Sequence, residues 1–148
     1  MVTIAQLNDQ NHRITELTNV LTQLLGNRSL CDSEITCDLF FRYVDEVKTH
    51  LEITDSEVYA RLLTHKDRRV NNMVDRFIGG SKEIKRIFAQ YLGKWCKLRS
   101  KQLVIKEYDE FLAETGEMFE MVLDRIQDET EQLYPVVREL GDVEQRVA

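Results

Sequence analysis

"HLEITDSEVYARLL" (His50–Leu63) and "RIQDETEQLYPVV" (Arg125–Val137) are two copies of one pattern. At a constant offset of 75 residues, Val47 aligns with Val122, Leu51 with Ile126, Val58 with Leu133 and Tyr59 with Tyr134. These apolar positions recur at helical spacing, so each copy lies on an amphipathic helix. A fainter relation at 56 residues ties Ile14, Leu17 and Leu21 to Val70, Met73 and Phe77. The chain therefore reads as one helical pair followed by its repeat.

Working outward, Ile4, Leu7, Ile14, Leu17, Leu21 and Leu24 form the stripe of a first helix that ends near Gly26-Asn27. Asp32 and Ser33, with Thr36 as a later candidate, can cap a second helix predicted over about Cys37 to Leu63. A third begins near Lys66 or Asp67 and carries Val70, Met73, Val74, Phe77, Ile84, Ile87, Phe88, Tyr91 and Trp95. The apolar phase is unchanged across Gly79-Gly80-Ser81, which favours one continuous helix, locally weakened or closely packed there, over the alternative of a break. A fourth starts between Gln102 and Lys106, and Pro135 predicts a kink or an end near its terminus. No strand pattern competes. Four such helices with short connectors predict an all-α, up-down-up-down four-helix bundle filling a single domain over residues 1–148.

Composition narrows the function classes. A formal net charge of −6 and a pI near 5.1 argue against bulk binding to nucleic acid or an anionic membrane. The basic stretch "KWCKLRSK", Lys94–Lys101, reads as a solvated helix end, with a docking patch as the sharper alternative. Cys31, Cys37 and Cys96 have no paired metal spacing and read as reduced intracellular thiols. The N-terminal stretch lacks the basic region and apolar run of a signal peptide, and no segment has the length of a membrane span, which predicts a cytoplasmic protein. No nucleophilic triad, phosphate loop or zinc motif is present. His65, in "THKDRR", lacks the small-residue neighbourhood suited to a phospho-accepting histidine.

A His-x-x-x-Glu quartet followed by an aromatic-Pro pair, on the second and fourth helices of a bundle, resembles the bacterial hemerythrin-like (HHE cation-binding) domains. The second copy carries the Glu and Tyr-Pro of that motif, and the first carries its His and Tyr. The resemblance covers nearly the whole chain in element order and length. It implies a non-haem iron pair in the bundle core, held by a His near the start of the first and third helices and by the His-x-x-x-Glu pairs of the other two. Imidazole and carboxylate suit iron, and that spacing aims two side chains of one helix at one point.

Carried over position by position, the implied site is Asn11, His50, Thr54, Asp67, Arg125 and Glu129. His50 stands in place, but Thr54 replaces its carboxylate; Glu129 stands in place, but Arg125 replaces its His. Asn11 takes the inward position on the first helix, with His12 pointing away, and the 56-residue offset gives Asp67 rather than His65 on the third. One imidazole, two carboxylates and a permanent guanidinium make a poor di-iron site.

Arg125 has two readings: pairing with Glu129 and with Asp67 across the bundle, or snorkelling to water. His50 reads as a core-edge histidine bonded to a polar neighbour such as Thr54. Tyr59, Tyr134, Phe40, Phe77, Phe119 and Trp95 read as core. The functional expectation is a non-catalytic regulatory or protein-interaction module of a bacterial cytoplasm, with no cofactor and an unidentified protein partner. The alternatives are a divergent non-haem iron protein binding oxygen, nitric oxide or a single metal, and a small-ligand sensor using the bundle interior.

Overall fold

Polar caps and apolar stripes set the boundaries of the helices. The computed structural model describes residues 2–147, with side chains as far as residue 140. Helix α1 (Ile4–Leu25) opens with a capping box, in which the Thr3 hydroxyl accepts from the Gln6 amide and the Gln6 side chain accepts from the Thr3 amide. Helix α2 (Glu34–Ile53) starts earlier than the expected Cys37, because Ser33 is the cap and accepts from the Thr36 amide. It continues through a π-helical segment, π1 (Thr54–Tyr59), and the short α3 (Ala60–Leu62). Helix α4 (Arg68–Trp95) runs unbroken through Gly79-Gly80-Ser81, as the phase of its stripe predicts.

After Trp95 the chain departs from expectation. Only Lys94 and Trp95 of the basic stretch end the helix; beyond them Cys96–Lys97 (β1) and Gln102–Leu103 (β2) pair antiparallel, around a turn in which Lys101 adopts φ 50°. Two-residue strands are too short for alternation to show in the sequence. Helix α5 (Tyr108–Asp128) consequently begins later than the predicted Gln102–Lys106 start. It passes into a second π segment, π2 (Glu129–Leu133), and then α6 (Tyr134–Val147), so Pro135 does not end the fourth helix. Proline crowds the carbonyl of a preceding turn and offers no amide; the widened turn just before it, where the Tyr134 amide bonds the Glu129 carbonyl, relieves that conflict.

The four rods form the expected all-α bundle of up-down-up-down topology, and among the described residues no helix is long and apolar enough to cross a membrane. Its core falls into two apolar clusters. The larger contains Leu21, Phe40, Tyr43, Phe88, Phe111 and Phe119, with Tyr43 and Phe119 edge-to-face at 5.1 Å. The smaller contains Leu7, Val58, Tyr59, Met73, Phe77, Leu133 and Tyr134. Along each rod the boundary between clusters is occupied by small or polar residues. They are Gln10 and Asn11 on α1, His50 and Thr54 on the second rod, Gly80 and Ser81 on α4, and Arg125 and Glu129 on the fourth. A polar layer thus crosses the bundle at one level.

Candidate functional site

The two motif copies share a backbone device. Segment π1 starts at Thr54 and π2 at Glu129, the same position in the 75-residue alignment. In an α-helix, residues five apart are separated by about 140° around the axis. Bonding from i to i+5 brings them close to alignment, so Thr54 with Tyr59 and Glu129 with Tyr134 all face inward.

Glu129 is the centre of the layer and is fully buried, at 0% exposure. Its carboxylate lies 2.9 and 3.0 Å from His50 Nε2. Arg125 Nε approaches it at 3.6 Å, an ion-pair distance beyond a hydrogen bond. The rest of the guanidinium is held by other groups: Arg125 Nη2 donates to the Tyr59 hydroxyl and, at 2.8 Å, to the Phe77 carbonyl. Its carbon sits 4.6 Å from the Phe77 ring centroid and 5.9 Å from that of Tyr59, within cation–π range. Gly80 supplies the space: a Cβ there would lie 2.7 Å from Arg125 Nη1. A buried carboxylate needs a counter-charge, and this guanidinium provides one inside the bundle.

His50, 3% exposed, is held on its other edge by Gln10, whose Oε1 is 2.7 Å from Nδ1. A doubly donating imidazolium satisfies both oxygens; with the Gln10 amide turned over, a neutral ring donates to Glu129 and accepts at Nδ1. The Asn11 amide donates to the Tyr134 hydroxyl at 2.7 Å, while Asn11 Oδ1 and Arg125 Nε are buried without hydrogen-bond partners. Burial pushes the Tyr59 and Tyr134 hydroxyls well above the ordinary phenol range. Glu129 adds to the rise at both, and Arg125 opposes it. Both therefore stay neutral and can act as donors.

Five of the six residues implied from the sequence meet here: Asn11, His50, Thr54, Arg125 and Glu129. Asp67 does not. It is exposed, caps the start of α4 and accepts from the Arg69 amide at 2.9 Å, so the expected pairing of Arg125 with Asp67 is replaced by Tyr59 and the Phe77 carbonyl. The 56-residue relation aligns apolar stripes, but Asp67 lies thirteen residues before Gly80, or about 20 Å along an α-helix. Nor does Arg125 snorkel, since its side chain is only 10% exposed. Thr54 is not the partner of the His50 ring; its hydroxyl donates back to the His50 and Leu51 carbonyls, both at 3.0 Å. His12 is exposed beside Glu16, and His65 is half-buried and accepts from the Asp67 amide. Gln10 and Gly80 were not foreseeable as partners from the repeat, although Gln10 breaks the stripe between Leu7 and Ile14.

A family profile described as "Hemerythrin HHE cation binding domain" matches residues 2–137. No curated protein and no solved structure matches the chain. The cation that this description names requires a set of donors. Among the described residues, no three of His, Cys, Asp and Glu are grouped to hold a metal ion. The layer offers His50 and Glu129, engaged with each other, a neutral Asn11 amide, and a guanidinium that repels any metal ion placed beside it. This donor set does not fit an iron pair.

Proposed function

Because the chain belongs to the hemerythrin HHE cation-binding family, we propose that it keeps the family's bundle with a degenerate metal site and acts without catalysis. Its role is that of a regulatory or protein-interaction module in a bacterial cytoplasm. The observation that carries this reading is Arg125, whose guanidinium lies buried in the layer, in the space left by Gly80 and beside Glu129. In this reading the side chain stands where a metal's positive charge would act, and the charge is covalently part of the chain. No cofactor is needed to neutralise Glu129.

Metal analysis of freshly purified protein, together with its visible spectrum, tests the proposal. The expected result is substoichiometric iron, manganese and zinc, no oxo-bridge absorption band, and a thermal melt insensitive to a chelator. Stoichiometric iron or a chelator-sensitive melt would overturn it in favour of a divergent non-haem iron protein.

A further inference from the structure

We infer that the groove between α2 and α4, closed at one end by Leu98, docks an acidic amphipathic helix of a protein partner. The inference supplies a surface for the interaction role proposed above and rests on that role, but not on the chemistry of the polar layer. The groove encloses about 490 Å³. Its floor is Leu51, Phe88 and Leu92, each at least nine-tenths buried. Ala89 and Gly93 keep the α4 wall low, and a Cβ added to Gly93 would meet nothing within 4 Å. Leu98, in the turn between β1 and β2, is 50% exposed where it lines the groove.

The shape selects a helix over a small molecule. Lys85, Phe88, Ala89, Leu92 and Gly93 form one stripe of α4, which extends about 12 Å, or a little over two helical turns. A ligand pocket encloses most of its occupant, whereas this groove is about half open to solvent, and its α4 stripe suits side chains spaced i, i+3, i+4 and i+7. Charge selects its character. Lys48 rims the groove, and Lys97, Arg99 and Lys101 surround Leu98 in sequence. Among the described residues these four exposed cations make no ion pair. Lys85 is taken by Asp55, and Glu52 is the one acid in the lining. On a chain of net charge −6, the Leu98 end of the apolar trough is thus flanked in sequence by three cations, with Lys48 at its rim.

The test uses the full-length, isotope-labelled chain and a helical probe peptide of about sixteen residues, with leucines at i, i+3, i+4 and i+7 and glutamates on its flanks. Expected are NMR shift changes centred on Leu51, Ala89, Gly93 and Leu98, and binding that weakens with salt. Leu98→Glu and Lys48→Glu should each reduce affinity about tenfold or more while leaving the circular dichroism unchanged. A lysine-flanked version of the peptide should not bind. Absence of binding by the acidic peptide, equal binding by the basic one, or shifts on another face would refute the inference. So would a concentration-dependent dimer abolished by Leu98→Glu, which makes the occupant a second copy, or tighter binding to phosphatidylglycerol vesicles, which makes it a membrane. Metal content is read separately. A metal-free chain that ignores the peptide sinks only this inference; an iron-loaded chain that binds it sinks only the degenerate-site reading.

Discussion

The two motif copies occupy equivalent places in the bundle and satisfy their polar groups in opposite ways. In the first, Thr54 turns its hydroxyl back onto its own helix, and only the His50 ring reaches other rods, at Gln10 and Glu129. In the second, Arg125 and Glu129 are both formally charged, and their partners come from other rods: His50, Tyr59 and the Phe77 carbonyl. At the aligned positions Thr54 and Glu129, the first is satisfied by its own helix and the second depends on the assembled fold. A buried charge whose partners lie across the bundle forms its contacts only when all the rods are docked, so the second copy should dominate the energetics of the layer.

Glu129→Ala is the largest expected disruption. It leaves the Arg125 guanidinium buried without its counter-charge and His50 Nε2 without its acceptor, and should destabilise the fold by about 3–5 kcal/mol in urea denaturation. A loss below about one would show that the two donors find other partners, and that the layer is less dependent on charge than its burial suggests. Arg125→Ala comes next, at about 2–3 kcal/mol, because Glu129 keeps His50 while losing its permanent counter-charge. If Arg125→Ala proves harmless, the guanidinium is not the internal cation and the comparison between the copies fails.

Gly80→Ala has a smaller effect with a sign that can be reversed. An added methyl meets Arg125 Nη1 and must displace a guanidinium pinned by Tyr59 and the Phe77 carbonyl. Against that stands the better helix propensity of alanine, about 1 kcal/mol. The net loss should be about 1 kcal/mol in the native background and become a gain of similar size in Arg125→Ala, where the space is free. A double-mutant cycle measures this coupling. Equal effects in both backgrounds would mean that Gly80 and Arg125 are not a matched pair.

Much of this was legible in the sequence because it follows from periodicity and caps. Ser33 and the unbroken stripe through Gly79-Gly80-Ser81 act locally, so a local reading finds them. The fixed 75-residue offset likewise placed His50, Thr54, Arg125 and Glu129 at equivalent positions, and the structure brings them into one layer. Asp67 went astray because a relation that aligns apolar faces does not fix the level of a polar residue along the axis, and a helix start claims an Asp as its cap. Gly80 looked like a weak point in a helix; that it makes room for an arginine 45 residues later is a property of packing between rods. The π segments have no comparable signature, since i to i+5 bonding is imposed by which side chains must face inward.

Thr54→Val should be the mildest change, and it tests the other side of the comparison. The His50 and Leu51 carbonyls that accept from the Thr54 hydroxyl also accept from the Thr54 backbone amide. Removing the hydroxyl therefore strands no carbonyl, and valine keeps the β-branched shape within the π turn. What is lost is the small polar influence of this hydroxyl on Tyr59, the phenol that holds Arg125 from the other side. A cost below about 1 kcal/mol is expected, with the Arg125→Ala effect unchanged in the Thr54→Val background. A cost comparable to that of Arg125→Ala, or strong coupling between the two, would mean that Thr54 positions Tyr59 against the guanidinium. Thr54 would then be a working part of the charged pair, linked to it through a phenol, and not a locally satisfied residue.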